Sequence, residues 1–264
     1  MTGKWWSWFV LMAALAVVGC RPRSPSSGAE SAQPATSTGV KPAATSTATT
    51  PAASAVPAPS SAASAISVAA EPDAFVIYIQ PLGSELPEVD VELVQQALRA
   101  FYDVEVRMLE RIALPEWARN DAKTRYRAEK LLTVLEKRLP EDGDRILGLT
   151  GVDISTTKGQ YPDWGILGLA TIDGTGCIIS KFRTARGTKT PLEARIRLGK
   201  VAVHEIGHTL GLEHCPNVGC LMEDARGTVM TCDREYDLCA DCRRQLTDSG
   251  HGLARGDIPW PKPN

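Results

Sequence analysis

The sequence predicts an α/β domain on a mixed, twisted sheet, and three observations carry that expectation. Short β-branched or aromatic runs and longer stretches of helical periodicity follow one another in the order β-α-β-α-β-β-β-α, the pattern of helices packed against a sheet. The pattern is confined to residues 71–264, enough chain for one domain with a sizeable core. Its last helix carries the stretch HEIGHTLGLEH, from His204 to His214, in which chemically active side chains recur at fixed spacing.

Residues 74–80, AFVIYIQ, are a short run of strand formers and read as a buried strand. Asp90 stands where a helix cap belongs, ahead of Val91, Val94, Leu98 and Phe101 at helical spacing. Residues 104–109 largely alternate apolar and charged side chains, as a half-exposed strand does. A second amphipathic helix is expected over 121–139, with Ala128, Leu131, Leu132, Leu135 and Leu139 along one side and Pro140 as its stop. Three strands are expected after it, at 145–150, 165–172 and 177–182. The last helix has a marked start, where T-P-x-E makes Thr190 and Glu193 a capping box with Pro191 at the first helical position. Its apolar positions run through Leu192, Ile196 and Leu198 to Val201, Val203, Ile206 and Leu210, so the histidines ride on a helix long enough to be rigid.

Residues four apart on a helix share a face, with about 5 to 6 Å between Cβ atoms. His204 and His208 can therefore grip one metal ion together. Glu205, beside them, can reach a water on that metal without being a ligand, as a general base does. Gly211 lacks a Cβ and lets the chain leave the helix, which swings His214 back as the third donor. HExxH alone also occurs in ordinary amphipathic helices, where a histidine belongs to core or surface; the glycine and the third histidine at their offsets set this stretch apart. Three neutral ligands leave the charge of a zinc ion largely undiminished, which brings a coordinated water toward a pKa of about 7. The expected chemistry is peptide-bond hydrolysis with Glu205 as general base. Tyr161 and Tyr236 are candidates to help hold the oxyanion, and His251, without a partner at ligand spacing, is expected at the solvated surface.

Cys215 and Cys220 form C-x4-C, and Cys239 and Cys242 form C-x2-C further on, a set suited to a second, structural zinc with no room for water. Disulfides are the competing reading in an exported protein, although bridges between such near neighbours would close only small loops. Cys177 and Cys232 are left over, as a disulfide with each other or as two small core residues.

Residues 1–20 carry one lysine, an apolar run too short to span a bilayer permanently, and then Gly19 and Cys20. This resembles the lipobox of bacterial lipoproteins, with cleavage before Cys20 and acylation of that residue; an uncleaved signal or plain anchor is the alternative. Residues 21–70 are nearly all Ala, Ser, Thr, Pro, Gly and Val, too poor in apolar surface to fold, and read as a disordered tether. Arg21 follows the cysteine in place of Asp, so in a cell with two membranes the outer one is the expected address. The net charge of −2, without a basic stripe or a phosphate loop, argues against nucleic acid as a partner. A lipid-anchored monomer acting on peptide or protein substrates is expected.

With these residues in hand the chain resembles the archaemetzincins, a family within the metzincin zinc peptidases, whose pattern is HExxHxxGxxHC-x4-C-x-M followed by C-x-x-C. The matching positions are His204, Glu205, His208, Gly211, His214, Cys215, Cys220, Met222, Cys239 and Cys242, with the gap before Cys239 one residue shorter than in the family. Residues 146–150 with Asp153, 168–170 and 179–183 are similar as well, so the likeness covers about 74–246. The resemblance implies a metzincin-like zinc peptidase domain with an active-site helix and a small C-terminal subdomain. It further implies two zinc ions, one catalytic on the three histidines and one structural on the four cysteines. Met222 would be the Met-turn beneath the catalytic metal, and residues 165–172 the sheet edge that lines the cleft. A zinc-containing module that binds envelope peptides without cutting them, and a zinc amidase acting on non-protein amides, are the rival functions; a binder has no need of Glu205.

Overall fold

The computed structural model describes residues 74–263 apart from Glu85 and Arg255. The expected signal, Cys20 and the tether lie outside the described residues. Strand β1 (Val76–Leu82) is buried along its whole length because β2 and β4 flank it and helices cover both its faces. Helix α1 (Glu88–Phe101) leads from it to β2 (Glu105–Met108), the parallel strand at one edge of the sheet. Asp90 is not the cap of α1: Pro87 holds that position, and Asp90 lies buried inside the first turn, paired with Lys181 and with Arg195. An aspartate tied to two cations from later in the chain is a tertiary strut, and the local sequence does not distinguish it from a cap.

A single 3₁₀ turn (Glu116–Ala118) and β3 (Tyr126–Arg127) precede helix α2 (Ala128–Glu136). The helix expected over 121–139 is therefore shorter at both ends. Asn120 Oδ1 accepts the backbone N–H groups of Thr124 and Arg125 at 2.9 and 3.1 Å, and Lys123 takes a positive φ of 54°. A side chain that satisfies the backbone locally competes with helix formation, and here it wins.

Strand β4 (Arg145–Thr150) runs parallel to β1. Strands β5 (Ile154–Lys158) and β6 (Tyr161–Ile166) form an antiparallel hairpin that joins β3 in a small second sheet. Strand β7 (Gly168–Ala170) returns to the main sheet, antiparallel to β8 (Gly176–Ser180). The single strand expected over 165–172 is thus divided between two sheets at Leu167. The strand expected to reach 182 stops at Ser180, whose Oγ accepts the N–H of Phe182 and caps helix α3 (Lys181–Thr184). Helix α4 (Pro191–Thr209) follows, then the short α5 (Thr231–Arg234) and α6 (Ala240–Asp248).

The main sheet has the order β2-β1-β4-β8-β7, with all neighbours parallel except β7. Alternate residues of its strands feed two cores. Ile77, Ile79, Leu147, Leu149 and Ile179 pack with α1 and α4 on one face, and Val76, Tyr78, Ile146 and Ile178 pack with α2 on the other. This is the α/β fold with a mixed sheet that the sequence predicts. The C-terminal segment joins the first core through Leu238, Cys242, Leu246 and Trp260. Among the described residues no helix is long and apolar enough to cross a membrane.

Candidate metal centre and cleft

Helix α4 is built to hold a fixed position. Thr190 Oγ1 accepts the N–H of Glu193 at 3.2 Å, and Glu193 Oε2 accepts the N–H of Lys189 at 2.7 Å, so the capping box closes with its return arm one residue earlier than the sequence suggests. The helix then lies against β8 and β7 and buries Leu198, Val201, Ala202, Val203 and Ile206. Its end is a Schellman turn. Gly211, at φ +88°, donates to the His208 carbonyl at 3.0 Å, and Leu212 donates to the Gly207 carbonyl at 3.0 Å. A side chain at 211 would be strained in that conformation, and the reversal brings His214 back beside the helix.

The three imidazoles converge, with ring centroids 4.6, 5.4 and 4.9 Å apart. His204 Nδ1 lies 2.6 Å from the Leu221 carbonyl and His208 Nδ1 lies 2.7 Å from the Leu212 carbonyl. A carbonyl only accepts, so both rings carry their proton on Nδ1 and leave a lone pair on Nε2. Those two Nε2 atoms face each other at 3.0 Å. Two acceptors at that distance repel unless a cation lies between them, and tetrahedral zinc with bonds of about 2.0 to 2.1 Å would set them about 3.3 Å apart. Burial and the neighbouring His208 push the His204 pKa down to about 3, which keeps the ring neutral and able to ligate. The donor set fits zinc. His204 is half-buried, His208 buried and His214 exposed, so the site opens to solvent on the His214 side.

Glu205 is buried and lies against the edge strand. A Cβ added at Gly168 on β7 would meet Glu205 Oε1 at 2.5 Å and its Cγ at 2.6 Å, so only glycine lets the carboxylate rest on that backbone. Burial raises the Glu205 carboxyl to about 8, a cost that an adjacent dication would offset. Both residues line a cleft of about 410 Å³, together with residues 164–169, Val201, His204, His214 and the loop 223–229. Of the edge 165–172 expected along the cleft, residues 165–169 line it, from the end of β6 and the start of β7. Neither Tyr161 nor Tyr236 borders it. Tyr161 stands exposed against Trp164 at the far end of the hairpin, and Tyr236 packs on the core with its carbonyl accepting from Trp260. His251 is half-buried and so only partly solvated, with its ring edge-on to Phe75 at 5.7 Å.

Cys215, Cys220, Cys239 and Cys242 gather with all four Sγ atoms within 4.8 Å of one another. Cys215 to Cys239 and Cys220 to Cys242 each span 3.7 Å. A disulfide would need about 2.05 Å, whereas zinc with bonds of about 2.3 Å in a tetrahedron sets sulfurs about 3.8 Å apart. Backbone N–H groups of Asn217 and Cys239 point at Cys215 and Cys220, each at 3.4 Å, and Asn217 Nδ2 lies 3.3 Å from Cys239. Burial raises the Cys220 and Cys242 thiols, whereas at Cys239 the Cys242 N–H and the Asn217 and Cys215 side chains outweigh burial and bring the group down to about 6, so Cys239 is the member nearest the thiolate a metal needs. Cys177 and Cys232 are not bonded to each other; both are buried free thiols in the core.

Met222 is fully buried with Sδ against Gly207, where an added Cβ would approach it to 2.6 Å. Its carbonyl accepts the N–H of Cys215 at 2.7 Å, which ties this turn to the residue beside His214. Sequence reasoning missed Gly168 as the rest for Glu205 and missed Glu235 on the cleft wall. Neither carries a local signal: Gly168 acts on a residue far from it in the chain, and Glu235 comes to the cleft only through the fold.

The family profile of Peptidase family M54 matches residues 75–248. The archaemetzincin of Haloquadratum walsbyi is 33% identical over 179 residues, 65% of this chain and 99% of its own. That of Methanocaldococcus jannaschii is 30% identical over 182 residues, 66% and 94% of the two chains. Among solved structures, the archaemetzincin of Methanopyrus kandleri aligns with a TM-score of 0.58 at 26% identity, over 67% of this chain and 95% of that one. The archaemetzincin of Archaeoglobus fulgidus complexed with malonate gives 0.55 at 32%, over 65% and 99%. The likeness covers the cleft, the helix and the cysteine cluster alike, and the chain belongs to Peptidase family M54, the archaemetzincins, as a zinc metallopeptidase.

Proposed function

We propose that the domain hydrolyses peptide bonds with a catalytic zinc on His204, His208 and His214 and with Glu205 as general base, while Cys215, Cys220, Cys239 and Cys242 hold a second, structural zinc. One observation carries this reading: two Nε2 lone pairs and a buried carboxylate converge on a cleft that also has a strand edge in its wall. Zinc on the imidazoles supplies Lewis acidity, polarising the scissile carbonyl and acidifying the water beside it. Glu205 accepts the proton of the attacking water and hands it to the leaving amine. Gly168 fixes the position of that carboxylate, and the Leu221 and Leu212 carbonyls fix the two rings. The outer edge of β7 offers main-chain groups to an extended peptide whatever its side chains. Four thiolates leave no place for water, so the second site serves to hold Cys215, and with it His214.

In the same proposal Cys20 carries a lipid and residues 21–70 tether the domain, a monomer, to the membrane, the outer one in a cell with two; composition supports the lipid and the tether. The test is incubation of the zinc-loaded domain with a diverse peptide library, read by mass spectrometry. Cut peptides are expected. Peptides that are bound but left whole would favour the binding module, and cleavage confined to non-peptide amides would favour the amidase.

A further inference from the structure

Glu235 is a buried acid that the hydrolytic machinery does not use. It follows α5, is 4% exposed, and still lines the cleft on a wall it shares with Val201, Val229 and Cys232. Among the described residues no cation makes an ion pair with its carboxylate; Lys200 and Arg234 act on it only from beyond that distance, and its side-chain partner is the Cys232 thiol, a weak donor. The neighbouring acids are engaged: Asp233 takes both arms of Arg197 at 2.7 and 2.8 Å, and Glu223 is held by Arg234 and by the N–H of Gly219. Lys200 does not line the cleft. Its Nζ donates to the Cys232 and Glu235 carbonyls at 2.7 and 2.5 Å and lies 5.7 Å from the Trp260 ring centre.

A buried carboxylate without a direct ion pair is costly, and burial holds this one up at about 8 against the pull of Lys200 and Arg234. Val201 precedes Glu205 by one helical turn, about 6 Å along the axis, and the Lys200 bond to the Glu235 carbonyl holds the segment after α5 beside that turn of α4. Apolar side chains, Val201 and Val229, beside an acid without a direct ion pair match one kind of side chain, and Arg183, which shares the lining, is taken by Asp153. We propose that Glu235 makes this recess select a lysine or arginine on the residue beside the scissile bond, its stem on Val201 and Val229 and its cation on the carboxylate. The inference rests on the peptidase reading of the cleft.

The test uses peptides blocked at both ends that differ at that one residue, carrying Lys, Arg, Leu or Glu. For the zinc-loaded wild type, kcat/KM for Lys over Leu is expected to reach at least about tenfold, and the ratio is expected to collapse toward one in Glu235→Gln. No preference in the wild type, or an unchanged ratio in the variant, overturns the proposal. Calorimetry on the zinc-loaded Glu205→Gln chain gives affinities without turnover; Lys peptides are expected to bind about tenfold tighter than Leu peptides, and equal affinities overturn the proposal. That arm decides the matter even where no peptide is cut, an outcome that would sink the peptidase reading instead. Should Glu235→Gln fail to fold, Glu235→Asp withdraws the carboxylate by one methylene, and the Arg-to-Lys ratio is expected to rise; a ratio that does not move overturns the proposal.

Discussion

The histidine cluster and the cysteine cluster meet at one peptide bond, between His214 and Cys215, yet they are built to opposite ends. The histidines bring three donors of graded exposure, buried at His208 and open at His214, to the side of a cleft. The cysteines bring four donors in two pairs 3.7 Å apart, with backbone N–H groups aimed at two of the sulfurs. Three donors leave a coordination position for chemistry and four do not. The closed cluster also braces the open one, because the carbonyl that orients His204 belongs to Leu221, between Cys220 and Met222.

The contrast breaks most sharply at Glu205. Glu205→Gln keeps the size of the side chain and all three imidazoles, so metal content by elemental analysis should match the wild type while turnover falls by about 10² to 10⁴. Unchanged turnover would remove the general base from the account. The cysteine cluster should respond the other way. Cys242→Ser is expected to cost one metal per chain and to lower the thermal midpoint by about 10 °C or more, because metal binding at such a site is folding free energy. With Leu221 no longer fixed, zinc affinity at the histidines should weaken by about 10- to 100-fold. Full affinity at the histidines in that variant would show the two sites to be independent.

How legible these sites were in the sequence follows from how far apart their parts lie along the chain. The donors of α4 were readable because helical spacing alone brings His204 and His208 together and Gly211 marks the turn that returns His214. The cysteines were readable as a set, but only the 3.7 Å spacing separates unbonded sulfurs from disulfides. Elements failed where a side chain outside the element's own periodicity decided the outcome, whether distant in the chain or next to it. Asp90 looks like a cap until Lys181 and Arg195 arrive, and the start of the 121–139 helix yields to one asparagine side chain. Residues 165–172 read as one strand because nothing local shows that Leu167 passes from one sheet to another. Tyr161 and Tyr236 failed as oxyanion candidates for a similar reason, since the fold alone decides which tyrosines face a cleft.

Gly168 sharpens the comparison at a smaller scale, since it bears on the open site without touching a ligand. In Gly168→Ala the new Cβ meets the movable end of Glu205 and no backbone, so the domain should fold and melt near the wild-type temperature. The carboxylate must shift, and a displacement of about 1 Å is enough to lower kcat by roughly 10- to 100-fold while KM changes little. A kcat equal to that of the wild type would mean that Glu205 does not need its rest on β7.

The smallest expected effect falls on Glu235, and its sign decides whether that carboxylate is free. An ordinary glutamate titrates at 4.5, and burial raises Glu235 to about 8 in the folded chain. Below 4.5 the group is protonated in both states, and its contribution to stability is fully present. Between 4.5 and 8 the unfolded chain gives up the proton first, so that contribution is lost as pH rises and levels off above 8. The wild type should therefore lose several degrees of thermal midpoint relative to Glu235→Gln across this window. A cationic peptide in the recess should reduce the loss, since it favours the ionised form in the folded state. A wild type that instead gains on the variant as pH rises would reveal an ion pair at Glu235, and a carboxylate already paired has no charge left for a substrate.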